Sequence, residues 1–340
     1  MARAFLLWLL FLPAARGFAQ QDSLSFNLFS DMATLRLDLT FDYKEFTKTK
    51  FSDTYQPATL TVYLDSARQI SRPVRIKARG EFRRSYCAFP PIRLNLKDAD
   101  FGIPSLDAQE KLKLVTNCRY QTAFQNYLLQ EYLVYRVYNV LTPRSFRVRL
   151  LDINYIDSEG KREPMRRYGF IIEDDDEMAA RNDCSVLDLD KSRLSVGERE
   201  STATMALFQY MIGNTDWAAG NLHNFRLIRS NDPVLGTMYF VPYDFDYCGL
   251  VNAHYAIPAE VLNIPNVRQR LYMGPCRGDA EWDSVFAYFL AKKEEIYDIY
   301  RSFAPLDESL RRESIQYLDG FFEQLEHPDR IRPQLRATCN

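Results

Sequence analysis

Residues 201–246 read in order as a helix, a polar loop, a hairpin and an acidic tail, and this stretch decides how the whole chain is read. In 201–212 the apolar residues Met205, Phe208 and Ile212 fall on one helical face. Next comes the polar loop Asn214-Thr215-Asp216-Trp217-Ala218-Ala219-Gly220-Asn221. Residues 225–228 and 238–241, separated by the turn Ser230-Asn231-Asp232-Pro233, predict a hairpin. The hairpin runs into Tyr243-Asp244-Phe245-Asp246. A hairpin folds back on itself, so Asp216 and Asp244 are expected to face one cleft with Asn221 between them. Carboxylate and amide oxygens are hard donors suited to Mg²⁺, which is held by few protein ligands plus phosphate oxygens. A carboxylate outside the metal shell orients a hydroxyl nucleophile. Asp246 is either a second ligand or a solvated side chain.

Upstream of this stretch the pattern is mostly of period two. Leu35, Leu37, Leu39 and Phe41 alternate, and 58–64, 74–79, 92–96 and 112–115 behave alike. Residues 120–140 predict a helix carrying Phe124, Leu128, Tyr132 and Val137, stopped by Leu141-Thr142-Pro143. Its tyrosines read as packing, with a carbohydrate platform as the alternative. Strands return at 146–156 and 168–172, and helices dominate from 280 to 325. The expected fold class is α+β. The divisions are a signal peptide over 1–19, a sheet-rich lobe over 20–172 and a helical lobe over 173–340 that holds the hairpin.

The order Asp, Asn five residues on, hairpin, Asp resembles the active site of the protein-kinase-like superfamily. Among its divergent branches, the chain is similar to the spore-coat CotH kinase family. Arg79-Gly80 matches that family's early Arg-Gly turn, and Gly169-Phe170-Ile171-Ile172-Glu173 matches its strand ending in an acidic residue. The resemblance runs from about Val74 to Gly249. It implies a two-lobed protein-kinase-like fold with Mg²⁺ and ATP as cofactors. It also implies Asp216 as catalytic residue and Asn221 and Asp244 as metal ligands, to which Asp246 is added as the candidate further ligand. Where the family carries lysines after a proline, this chain has Phe89-Pro90-Pro91-Ile92-Arg93. The phosphate-binding cation therefore falls to Arg79, Arg93, Lys97, Lys111 or Lys113, with Glu173 expected beside the nucleotide base. The implied function is phosphotransfer to an exported protein. The alternative is a non-catalytic surface or matrix binding protein.

Simpler roles exist for the same residues. Asp216 is a common capping residue, and Asn221 and Asn224 suit turns. The run Glu173-Asp174-Asp175-Asp176-Glu177 suits a helix N-terminus. His223 reads as a surface residue.

Composition sets the outer bounds. The chain has 340 residues, 46% of them hydrophobic and 26% charged, which excludes collagen-like and broadly disordered classes. Lys+Arg is 43 against Asp+Glu 45, so bulk charge does not indicate a nucleic-acid partner. Three histidines with no HExxH or CxxC make a zinc site a poor expectation. Arg3, the apolar run 5–13 and small residues up to Ala19 fit a signal peptide cut before Gln20, and no later run is apolar enough to span a membrane. The expected location is periplasmic, cell-surface or extracellular. Export permits disulfides among the six cysteines, and short loops favour Cys87–Cys118 and Cys248–Cys276.

Overall fold

The computed structural model describes residues 26–189 and 191–339. The expected signal peptide lies outside the described residues.

Seven strands make the first sheet: β1 (Leu35–Phe41), β2 (Gln56–Tyr63), β3 (Gln69–Ala78), β4 (Ile92–Asn95), β5 (Lys111–Val115), β6 (Val148–Asp157) and β7 (Met165–Ile172). Their order is β1-β2-β3-β4-β5-β7-β6, and the sheet closes into a barrel. Every pairing is antiparallel except the closing one, where β1 lies parallel to β6 with Leu35 opposite Leu151 and Phe41 opposite Asp157. Closure leaves no exposed edge to template aggregation. Period-two burial turns Leu35, Leu37, Leu39 and Phe41 inward. There they meet Leu60, Val62, Ile76 and Leu94 in a core of side chains that fills the barrel. Gly169 belongs to this interior, because a Cβ there would stand 2.8 Å from Ile153 Cδ1 and 3.0 Å from the Val115 carbonyl oxygen.

This closed barrel overturns the expectation of a two-lobed protein-kinase-like fold. Alternation showed where the strands are, but it carries no information on which edges meet. The pairing of β1 with β6 joins residues more than a hundred positions apart.

Short helices decorate the barrel: α1 (Tyr43–Lys48), α2 (Phe82–Tyr86) and α3 (Pro104–Asp107). The long helix α4 (Thr122–Leu141) lies against the outer face of β6 and β7. It is buried on several sides, which explains the mixed run Leu128–Tyr135. Val148, Leu150, Phe170 and Ile172 face it and join the second, larger core.

That second core is built by α5 (Asp175–Arg181), α6 (Arg199–Ile212), α7 (Asp279–Ala291), α8 (Lys293–Arg301), α9 (Glu308–Leu325) and α10 (Pro328–Arg336). A small sheet of order β10-β9-β8 completes it, made of β8 (Cys184–Leu187), β9 (Phe225–Ser230) and β10 (Met238–Pro242). Helix α6 ends at Gly213, whose φ of +66 is a left-handed cap. A Cβ there would meet the Tyr317 hydroxyl at 2.2 Å, so both backbone and space require glycine.

Cys87 and Cys118 form a disulfide with a Cα–Cα distance of 4.7 Å, as expected. The expected Cys248–Cys276 pair is not formed. Cys276 bonds instead to Cys339, while Cys184 and Cys248 are buried free thiols. Loop length favoured the wrong partner because α10 folds back on α7, where Arg332 and Arg336 meet Asp283 and Asp279. Two disulfides mark an oxidising environment of the kind exported proteins meet. Among the described residues, no helix is long and apolar enough to cross a membrane.

Candidate functional site

A cleft of about 590 Å³ opens between the barrel and the helices, a volume that suits a small-molecule ligand. The end of β3 and α2 form one wall, and α4 forms the floor. The loops after α6 and β10 form the other wall. Arg79, Arg83, Glu131, Asp216, Asn224, Asp244 and Asp246 all line it.

Asp216 and Asp244 therefore share one cleft. Asp216 leaves a loop fixed from behind, where the Asn214 side chain accepts from the Asp216 amide at 3.0 Å. The Trp217 indole donates to the Asn214 carbonyl at 3.1 Å. The Asp216 carboxylate meets His223 Nε2 at 3.0 Å and accepts from Asn224 Nδ2 at 3.1 Å. It stays partly open to solvent, as a group that handles an incoming hydroxyl must.

Asn221 goes elsewhere. It lines a second hollow of about 680 Å³ with Arg93, Lys113, Asp175 and Arg226, and its side chain accepts from the His223 amide. Asn224 stands in the cleft instead. Its amide nitrogen is spent on Asp216, which leaves Oδ1 without a hydrogen-bond partner among the described residues.

Asp244 has a φ of +63, an uncommon conformation for a residue with a side chain. Its amide donates to the Tyr135 hydroxyl at 2.9 Å, which holds the turn in place. Strain of this kind costs on the order of 1–3 kcal/mol and gathers at functional sites. The Asp244 side chain is 49% exposed, and among the described residues only its Oδ1 has a partner, Arg83 Nη2 at 3.3 Å.

Arg83 is the hub of the cleft floor. The same nitrogen donates to Glu131 Oε2 at 3.1 Å and lies 2.8 Å from Asp246 Oδ2. The Tyr255 hydroxyl also donates to Asp246 Oδ2, at 2.9 Å. Glu131 and Asp246 are almost fully buried, at 2% and 5% exposure. Burial pushes the Glu131 carboxyl up to about 8, against the pull of Arg83. Burial likewise raises Asp246 to about 6, again against Arg83. Burial works to lower Arg83 itself, but the three carboxylates outweigh it and hold the guanidinium well above its ordinary range.

Arg79 is different. Burial depresses it, the Asp244 carboxylate pulls the other way, and no hydrogen bond or ion pair holds its side chain among the described residues. It is a cation facing the cleft with room for an anion.

Of the other expected cations, Arg93 and Lys113 line the second hollow, and Lys97 and Lys111 line neither space. Lys113 and Arg226 both bind Asp175, the arginine through Nε at 2.7 Å. Burial would raise the Asp175 carboxyl, but the two cations hold it below the usual carboxylate range. Glu173 lines neither space. It is fully buried and paired with Arg147 and Arg181 at 2.6 and 2.9 Å, so its role here is structural.

Sequence reading passed over Arg83 and Glu131 and set His223 aside. Glu131 had a usable signal, since a carboxylate inside the apolar run of α4 must be paired if it is buried. Arg83 had only its place three residues after Gly80. No protein-family model matches this chain, and a search of curated proteins finds no match.

Proposed function

We propose that the cleft is a Mg²⁺-dependent phosphotransfer site that moves the terminal phosphoryl group of ATP to a hydroxyl of an exported protein. Its location would be periplasmic, cell-surface or extracellular. The likeness to the CotH kinase family then rests on the site residues and not on the fold. One observation carries the reading: Asp216, Asn224 and Asp244 line one cleft together with Arg79, a cation without a carboxylate partner among the described residues.

The donor set fits a hard divalent ion. Asp244 Oδ2 and Asn224 Oδ1 are both without a hydrogen-bond partner among the described residues, and such ions take few protein oxygens plus phosphate oxygens. When bound there, the ion would neutralise charge on the phosphate oxygens. Asp216 would accept the proton as the acceptor O–H bond breaks, the acceptor oxygen would form the new bond to the terminal phosphorus, and the bond from that phosphorus to its bridging oxygen would break to release ADP. Asn224 and His223 fix the Asp216 carboxylate for this task. Arg79 holds phosphate oxygens and Arg83 keeps Asp244 in place.

A binding role without catalysis has one observation in its favour. Arg83 already counters three of the cleft carboxylates. Labelled ATP separates the two readings. The purified chain should transfer label to exported proteins from its own host, and Asp216→Asn should not. Nucleotide binding with no transfer by the parent would favour the binding role.

A further inference from the structure

We propose that Arg83 is the resident cation of a three-carboxylate pocket, standing where a divalent metal ion would otherwise stand. Glu131, Asp244 and Asp246 each offer an oxygen, and these atoms lie within 4.8 Å of one another. Ligand oxygens around one Mg²⁺ or Ca²⁺ lie about 2.0–2.6 Å from the ion, so they fall within about 5 Å of each other. Three acidic residues alone would mean little. The distinguishing observation is that one nitrogen, Arg83 Nη2, contacts all three at 3.1, 3.3 and 2.8 Å. The carboxylates come from α4 and from the segment after β10, and the arginine comes from α2 on the barrel.

The hydrogen-bond arithmetic agrees. Nη2 has two hydrogens, and they are directed at Glu131 and Asp244. Asp246 is in charge contact and takes its hydrogen bond from Tyr255. A guanidinium never loses its proton and cannot dissociate. It therefore keeps Asp244 oriented before any ligand arrives, whereas a metal would come and go. Helix α2 meets the helical half through Arg83 and through the rings of Phe82 and Tyr86, which pack on Tyr247, Tyr255 and Phe124. Arg83 is in this account a positioning residue.

The inference deepens the phosphotransfer reading, but its test does not depend on transfer. Arg83→Ala should melt below the parent in EDTA, because two buried carboxylates lose their counter-charge. Millimolar Mn²⁺ should raise its midpoint by roughly 3–5 °C more than it raises the parent's. Equilibrium dialysis should count about one more Mn²⁺ per chain than in the parent, as a vacated pocket requires. Arg83→Lys, which keeps a cation, should show no extra ion. Arg83→Ala combined with Glu131→Gln and Asp246→Asn should lose the added site. No additional Mn²⁺ in Arg83→Ala would overturn the proposal. So would a variant that fails to fold both in EDTA and in Mn²⁺, since the metal should stand in for the guanidinium. A parent chain that binds neither Mn²⁺ nor nucleotide would sink the phosphotransfer reading and leave this one standing.

Discussion

Two polar spaces lie side by side in this molecule, and they differ in how their charges are matched. In the hollow beside β8 and β9, one carboxylate, Asp175, is gripped by two cations, Lys113 and Arg226. In the cleft, three carboxylates share the single guanidinium of Arg83, while Arg79 has no carboxylate bonded to it among the described residues. Around that triad the hollow also carries Arg93, Asp176 and Asp188, whose side chains have no ion pair among the described residues. The cleft holds surplus negative charge at one end and an unmatched cation at the other, which is the pattern a metal-bound polyphosphate would complete. In the cleft the unmatched charges stand beside Asp216 and Asn224, and that combination is what marks it as the candidate site.

The comparison can be broken by substitution. The largest expected effect is on transfer. Asp216→Asn keeps the side chain's size but removes the proton acceptor, so labelled phosphate transfer should fall by roughly 10²–10⁴-fold with nucleotide binding intact. Unchanged transfer would reduce Asp216 to a turn residue. Arg79→Ala should weaken nucleotide binding by about tenfold or more, the scale of a lost charge-assisted hydrogen bond. Arg93→Ala, in the hollow, should leave binding within about twofold. Calorimetric titration reads both, and equal losses would erase the distinction between the two spaces.

A smaller effect concerns pH. The folded-state carboxyl of Glu131 is raised from an ordinary 4.5 to about 8. The folded chain therefore binds more protons than the unfolded one between those values. Its contribution to stability is full below about pH 4.5 and is lost as pH rises through about 8. The slope from one such group is at most about 1.4 kcal/mol per pH unit. Melting curves of Glu131→Gln across this range should be flatter than the parent's, and an equal slope would contradict the burial argument. The least effect is expected from Asp175→Asn, which should cost stability, by about 1–3 kcal/mol in denaturant titration, without changing nucleotide affinity.

The sequence was legible where local pattern carries structure. Each barrel strand from β1 to β7 shows its alternation or apolar run, and the hairpin of β9 and β10 shows its turn. The closing of β1 onto β6 was not legible, because it depends on two distant edges meeting. The helices α1, α2 and α3 are too short to show a period. That Asp216 and Asp244 share one cleft was legible because a hairpin brings its two ends together. Asn221 drew attention by its spacing from Asp216, yet the turn at Leu222 and Asn224, both with positive φ, swings Asn224 into the cleft. Arg83 and Glu131 are joined across 48 positions, and only the fold reveals that they meet.

The central claim is that the mismatched charges of the cleft await a metal-bound nucleotide. Isothermal titration of the parent and of Asp244→Ala with ATP, each in Mg²⁺ and in EDTA, tests it most directly. The account predicts binding by the parent that requires Mg²⁺ and is lost in Asp244→Ala. Binding that is indifferent to Mg²⁺, or that survives in Asp244→Ala, would contradict it.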